Sequence, residues 1–541
     1  MGYHEISLKM PTDYKDYDLK EALQKELKKE NLKIDSNIIK DAQFQFQILN
    51  KSLDARKKSD IHWLIKVGVN LEDKESNDNS SKDPTDSTLL NIEYKKRDKK
   101  ALVVGSGPAG FFAAYVLQMS GFNTTIIERG SEVNRREESI KEFEATGKFN
   151  PITNYAFGEG GAGTFSDGKL TSRSKHISKE RQFIVTSYVN AGAPKEILYM
   201  AHPHLGSDNL KEIVKNLRRD FINIGGTILF ETMLRDLTIK NGKVVEVLVS
   251  SLENSSFYEI NADEFVVATG HSAFETYKML IKNGVKFRAK NFAIGSRVEH
   301  PQELINVAQW GVKSLAGVKA AEYRLTSKAD GSLPVYTFCM CPGGVIVPST
   351  AYEKSNIVNG MSRYMRDGNC ANAACVAGVN PEMVILDSKE FIADKILDWL
   401  ESFEQKFYNY SNGYAAPFCS IKSFINKKLE PKEFSKNISS SYPLGLKLAP
   451  LWELLPSQIA VAICEGLKDF SRKIRGFETG LIMGLESKTS APVAAVRETN
   501  YCCTAFDNLY ITGEGSGHSG GIISSASDGI RAALSIIAKH N

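Results

Sequence analysis

The first seventy residues alternate between apolar and polar positions in a way that predicts a small α+β unit. Tyr3 to Met10 reads as a strand. Between Asp18 and Glu30, Leu19, Leu23 and Leu27 recur at four-residue spacing, which stacks them on one face of a helix. Phe44, Phe46 and Ile48 alternate with Gln43, Gln45 and Gln47, and Ile61, Trp63, Ile65, Val67 and Val69 repeat the pattern. Period two predicts strands with one buried face, and so an open sheet covered by one helical layer. Residues 72–88 hold no large apolar side chain, so the segment cannot offset its ordering entropy and reads as a linker. The basic run Lys95-Lys96-Arg97-Asp98-Lys99-Lys100 then reads as a solvated approach to a strand.

From Ala101 the pattern changes to α/β. Ala101 to Val104 is a short apolar strand, Pro108 to Met119 a helix, and Thr124 to Ile127 a second strand. Ser207 is a candidate cap for a helix whose Leu210, Ile213, Val214, Leu217 and Phe221 share one face, with Gly225-Gly226 ending it. A meander follows: Thr227 to Phe230, Leu234 to Ile239, a turn at Asn241-Gly242, then Lys243 to Val249. Phe265 to Ala268 is another buried strand, and residues 286–345 are strand-rich. The 386–470 region is mixed. Asn508 to Thr512 is a final strand, leading through glycines into a helix near Ile522.

The pattern GxGxxG occurs at 105–110, 158–163 and 515–520. Only the first has a strand before it and a helix after it. Gly105 permits the tight turn, Gly107 lets the backbone approach a pyrophosphate, and Gly110 lets helix and strand pack closely. Amides at the helix start favour negative charge. Glu128 ends the second strand, where a carboxylate accepts the hydroxyls of an adenosine ribose. The second match follows no strand, and the third leaves too little chain for a βαβ unit of ~30 residues. One dinucleotide fold is expected, with no separate nicotinamide domain.

Composition narrows the class. A chain of 541 residues, at ~150 residues per domain, suggests three or four domains. A net charge of +4 is too weak to indicate nucleic acid, and no run of 18 apolar residues offers a membrane span. The N-terminus has no signal-peptide pattern, and eight cysteines without paired CxxC clusters fit free thiols in a reducing, cytoplasmic setting.

Several long motifs now carry a resemblance: GSGPAGFFAA, GGAGTFSDGKLTSR, HPHLGSDNL, ATGHSAFETY, FAIGSRVEHPQ, YTFCMCPGGVIV, NGMSRYMRDGNCANAACV, LESKTSAP and GEGSGHSGGIISSASDGI, with SLDARKKSDIHW near the N-terminus. The chain resembles the two-domain flavoproteins of the glutathione-reductase superfamily, and more closely the bacterial FAD-dependent dehydrogenase group. That resemblance implies FAD at Gly105, Gly107, Pro108, Ala109 and Gly110, with Glu128 and Arg129 at the end of the second strand. It implies Thr269 and Gly270 near the diphosphate, and Gly161, Gly163 and Thr164 near the ring or diphosphate. Glu514, after Gly513, would accept a ribityl hydroxyl, and Gly521 and Ile522 would lie beneath the pyrimidine end of the isoalloxazine. Phe274 and Lys488 stand where many members carry arginine.

The expected fold class is α/β: a discontinuous Rossmann-like FAD-binding domain (99–285 and 470–541), an inserted strand-rich α+β substrate or cap domain (286–469), a linker (72–98) and a small N-terminal α+β domain (1–71). The expected function is an FAD-dependent oxidoreductase acting on a small molecule, with NADH or NADPH as a possible transient electron donor. The alternatives are a flavin-dependent RNA-modifying enzyme and a binding protein with structural flavin. His271, Glu299 and Cys341 are the catalytic candidates. His271 and His518 flank expected cofactor loops. Cys339 and Cys341 should share one strand face. Arg297 and Glu299 should lie together on one strand face, as a surface ion pair or in a pocket, with His300 on the other. His202-Pro203-His204 is too isolated for a metal site, and none is expected.

Overall fold

Strands Lys100–Val104 and Glu264–Val267 are buried along nearly their whole length. A strand hidden on both faces needs a layer on each side, which is the parallel-sheet situation. A computed structural model describes residues 3–29, 46–70, 90–328, 333–385, 392–429 and 439–541 and shows that arrangement. Five parallel strands run in the order Leu509–Ile511, Glu264–Val267, Lys100–Val104, Asn123–Ile127 and Thr227–Leu229. Helix Pro108–Met119 follows the third of these in space, and the last helix, Ile522–Lys539, packs against it at backbone contact. A methyl group on Gly529 would overlap the Ala109 carbonyl, so glycine there sets the closeness of the crossing.

A second sheet has seven strands, ordered Thr326–Ser327, Val335–Cys341, Cys370–Val379, Phe292–Pro301, Leu481–Glu486, Ala416–Ser420 and Leu446–Leu448. It is antiparallel except for its last pair. Its strands come from the stretch of chain between Glu264–Val267 and Leu509–Ile511. The pair Phe287–Ala289 and Val493–Ala495 joins where the chain leaves and re-enters the parallel-sheet region. The meander Thr232–Lys240, Lys243–Ser251, Phe257–Asn261 turns at Asn241-Gly242, both left-handed. Near the N-terminus, Tyr3–Met10, His62–Asn70 and Phe46–Asp54 form a sheet covered by helix Asp16–Lys29, which buries Leu19, Leu23 and Leu27. Its edge docks on the rest of the chain, with Lys51 N donating to Tyr199 O at 2.8 Å.

The structure departs from the sequence expectations where tertiary contacts outweigh local pattern. The first helix begins at Asp16, because the Asp18 carboxylate accepts from Lys15 N at 2.8 Å. The later helix begins at Gly206 with Leu205 in the capping position, so Ser207 is buried in its first turn and caps nothing. Arg97 is no solvated residue: it is buried over the Phe122 ring and donates to Ser120 O. Gln43, Phe44 and Gln45, and residues 72–89 of the expected linker, lie outside the described residues. No helix among the described residues is long and apolar enough to cross a membrane.

Candidate functional site

The first glycine turn separates packing from ligand chemistry. A methyl on Gly110 would overlap the Gly105 carbonyl oxygen, so helix and strand touch there. Gly107 is different. Its φ is −67, open to any residue, and an added Cβ would meet only the Gly161 Cα, at 3.7 Å, an ordinary contact. The protein does not demand glycine at 107; a diphosphate lying on the backbone would. Gly107→Ala is therefore expected to leave the thermal midpoint nearly unchanged while weakening FAD binding about tenfold or more, ~1.4 kcal/mol. Gly110→Ala should unfold the region. Equal FAD affinity in Gly107→Ala and wild type would refute this division.

Two helix starts come together at this place. Gly107 caps Pro108–Met119 and Gly521 caps Ile522–Lys539, and neither has a side-chain cap. Each leaves first-turn N–H groups for a ligand, with the helix dipole favouring anionic oxygen. Gly270 and Gly521 face open space, where an added Cβ would touch nothing within 4 Å. Gly163 lies against Ile522, its would-be Cβ 3.4 Å from the isoleucine side chain. A nucleotide diphosphate with a flat ring fits these donors and this space.

Glu128 is buried and already engaged. One oxygen accepts from Ser106 N and Ser106 Oγ, both at 2.9 Å, and the other from Gly130 N at 2.9 Å and Gly158 N at 3.1 Å. It clips the first glycine turn, the end of the second strand and the 158–163 loop into one unit. Arg129 lies 3.8 Å over the Phe157 ring and pairs with Glu275, which also accepts from Tyr352.

Arg136, unremarked in the sequence, builds the 158–163 loop. It is fully buried and donates to five carbonyls: Asn154 at 2.9, Tyr155 at 3.0, Gly158 at 3.2, Glu159 at 2.8 and Gly161 at 2.8 Å. Burial pulls its guanidinium down to about 10 against the charges of Glu128 and Glu159. Burial in turn pushes the Glu159 carboxyl up to about 7. The loop closes as a single turn at Ala162–Phe165, with Thr164 Oγ1 donating to Glu159 O at 3.2 Å.

On the other side, Asp528 pins the 513–516 turn, accepting from Gly513 N at 2.9 Å and from Arg497 at 2.9 and 3.1 Å. Tyr277 Oη donates to the Gly270 carbonyl at 2.5 Å and reaches Thr269 Oγ1 at 3.5 Å. The structure brings His271 and Glu514 together, Nδ1 to Oε2 at 3.5 Å. His271 Nε2 is buried and has no hydrogen-bond partner among the described residues. An unpaired buried nitrogen beside the cofactor space is a group waiting for a ligand atom.

The seven-stranded sheet supplies a charged cluster. Arg297 and Glu486 are both buried and pair at 3.0 Å, so the surface-pair expectation for Arg297 and Glu299 is overturned by burial. Arg297 also donates to Asn372 Oδ1 at 2.7 Å and Cys339 O at 2.6 Å. Burial pushes the Glu486 carboxyl up to about 7, although Arg297 opposes it. Nearby, Asp167 accepts from Arg366 at 3.1 and 2.7 Å and from Ser362 Oγ at 2.7 Å. Burial pushes its carboxyl up, but Lys169 and Arg366 outweigh this and hold it at about 2. Cys339 and Cys341 do not follow strand alternation, because the ladder shifts register between Phe338 and Cys341.

Other candidates are held elsewhere. Glu299 accepts from Ser441 N at 3.1 Å and from Ser441 Oγ, an anchor for that segment. His300 meets the Phe477 carbonyl at 2.8 Å, His518 that of Ala495 at 2.8 Å, and His204 that of Tyr364 at 2.9 Å. Phe274 and Lys488 touch each other. The Lys488 ammonium sits 3.7 Å over the Phe274 ring and 2.8 Å from Glu404. A cation at 274 would face Lys488.

Comparison with known proteins follows from this geometry. Residues 291–489 match the family described as "FAD-dependent protein, C-terminal domain-like", and residues 98–139 match "FAD binding domain". An uncharacterized protein from Clostridium beijerinckii is 38% identical over 517 residues, 93% of this chain and 94% of its own. Among solved structures, a flavoprotein/dehydrogenase from Cytophaga hutchinsonii is 11% identical, covering 81% of this chain and 79% of that one, with a TM-score of 0.39. CtdE in complex with FAD is 10% identical, covering 81% and 84%, with a TM-score of 0.32. The chain belongs to this family of FAD-dependent flavoproteins, and FAD is its cofactor.

Proposed function

We propose that the protein is an FAD-dependent oxidoreductase that moves electrons between bound FAD and a small molecule entering between the parallel sheet and the seven-stranded sheet. The observation that carries this is the convergence of two uncapped, glycine-led helix starts with an unpaired His271 nitrogen. FAD supplies the hydride or electron transfer when bound. With FAD bound, the Pro108 helix start would present its N–H donors to the diphosphate and the Ile522 start to the negative charge that a reduced ring carries. Glu514 orients His271 at Nδ1, leaving Nε2 to hold or deliver a proton at the substrate.

In this reading residues 99–285 and 470–541 hold the cofactor and 286–469 cap it, as in the two-domain flavoproteins that the chain resembles. NADH or NADPH is the transient donor. The test is an anaerobic titration of the purified yellow protein with each nicotinamide, followed by an acceptor screen. Bleaching of the flavin by one of them, reversed by an acceptor, is the expected result. A colourless protein that cannot be reconstituted with FAD, or a flavin that no donor reduces, overturns the reading.

A further inference from the structure

Only one of the three glycine repeats is built as a dinucleotide turn. The 158–163 repeat is a loop whose carbonyls Arg136 holds, and the 515–520 repeat runs through a short turn at Glu514–Ser516. A nicotinamide nucleotide therefore meets no second glycine turn among the described residues, and its phosphates have to be bound by side chains.

Residues 165–185 offer such side chains. The segment holds Lys169, Arg173, Lys175, Lys179 and Arg181 against two acids, in a chain whose net charge is only +4. Both acids are engaged by other cations: Asp167 by Arg366 at 2.7 Å and Glu180 by Arg531 at 2.6 Å. Arg173, Lys175 and Lys179 are exposed and have no carboxylate partner among the described residues. Thr171, Ser174 and His176 are exposed beside them. Protein surfaces ordinarily intersperse the two signs of charge, and an uncompensated run of one sign raises the local concentration of anions.

The place of this run is fixed from two sides. Lys169 Nζ donates to the Met340 carbonyl of the seven-stranded sheet. Ser172 Oγ lies 2.7 Å from Ser524 Oγ, in the first turn of helix Ile522–Lys539. The chain between them thus spans from one sheet region to the other beside the helix start that Gly521 leads. Arg173 and Lys175 follow Ser172 within about 11 Å of extended chain. Behind them Ile177 is buried and Arg531 donates to the His176 carbonyl, so the segment is anchored and its cations are the part left to solvent.

We propose that Arg173, Lys175 and Lys179 form an anion-binding rim for the phosphates of the nicotinamide donor, and that the donor is NADPH in preference to NADH. This rests on the reading of the site as an FAD-dependent oxidoreductase. NADPH differs from NADH by one ribose phosphate, a group of up to about two further negative charges. Arg173 supplies the planar fork that pairs bidentately with a phosphate, and the two lysines add point charges.

The test is calorimetric titration of the FAD-loaded protein with adenosine 2′,5′-bisphosphate and with adenosine 5′-monophosphate. The bisphosphate should bind about tenfold tighter or better, and the advantage should shrink as salt is raised. The triple variant Arg173→Gln/Lys175→Gln/Lys179→Gln should lose the advantage while keeping the wild-type ratio of flavin to protein. In anaerobic reduction, wild-type protein should reach half-saturation at a lower concentration of NADPH than of NADH, and the variant should close that gap. Equal affinity for the two adenosine nucleotides, or an advantage that survives the triple substitution, overturns the rim and leaves the oxidoreductase reading standing. A flavin that neither nicotinamide reduces, in a protein that still prefers the bisphosphate, overturns NADPH as donor and counts against that reading, and leaves the rim as a phosphate site.

Discussion

Arg136→Met is expected to cost on the order of 4 kcal/mol of stability and to release FAD, because five buried carbonyls lose a donor and those of Asn154 and Tyr155 keep none among the described residues, while Gly161 N and Thr164 still donate to the other three. Each buried acceptor left unpaired costs about 1–3 kcal/mol before relaxation, so even partial rescue by water leaves a large loss. The loss should fall on the cofactor as well as on the fold. Arg136 holds the Gly161 carbonyl, and Gly161 packs against Gly107 in the first glycine turn. Lysine cannot replace it, since one ammonium has three donors where the guanidinium presents five in a fixed plane. Arg136→Lys should therefore fall between wild type and methionine. Thermal unfolding and the ratio of flavin to protein after gel filtration measure both effects. A methionine variant with wild-type midpoint and full flavin would show that the loop holds itself.

Arg297→Met should be nearly as severe, about 3–5 kcal/mol, for a different reason. The methionine fills much of the space, but Glu486 is left as a buried carboxylate without its cation. The double variant Arg297→Met/Glu486→Met should recover much of the loss, because removing both charges also removes the cost of burying them. Thermal or denaturant unfolding of the three variants measures this. A double variant no more stable than Arg297→Met would mean that Arg297 acts mainly through Asn372 and the Cys339 carbonyl. The thiols supply an independent readout: with the guanidinium gone, alkylation of Cys339 should slow near neutral pH, since a nearby cation favours the thiolate.

Much of the secondary structure was legible in the pattern of side chains. The strands Tyr3–Met10 and His62–Asn70, the strand–turn–helix at 100–119 and the hairpin at Asn241-Gly242 follow from period two, period 3.6 and turn chemistry, all of which act over a few residues. Misreadings came where a distant partner intervened. Arg97 looked solvated until Ser120 and Phe122 covered it. Ser207 looked like a cap until the chain fixed the helix start two residues earlier, with Leu205 in the capping position. Cys339 and Cys341 looked like neighbours on a flat strand, but the run bulges there, with Arg297 donating to the Cys339 carbonyl and Lys169 to that of Met340.

The cofactor class was legible in the sequence, since a glycine turn with a strand before it, a helix after it and an acid at the end of the next strand is a device built within about thirty residues. The sequence also marked His271 and Glu514 as residues of loops expected near that cofactor. Only the tertiary structure decided which side chains meet. Arg297 and Glu486 lie 189 positions apart, and Arg129 and Glu275 lie 146 apart. No periodicity reaches that far; such pairs form only when buried charges have to find partners as the two sheets pack. The Phe274–Lys488 contact has the same origin. It exists only because folding puts the Lys488 ammonium over the Phe274 ring, 214 positions earlier in the chain.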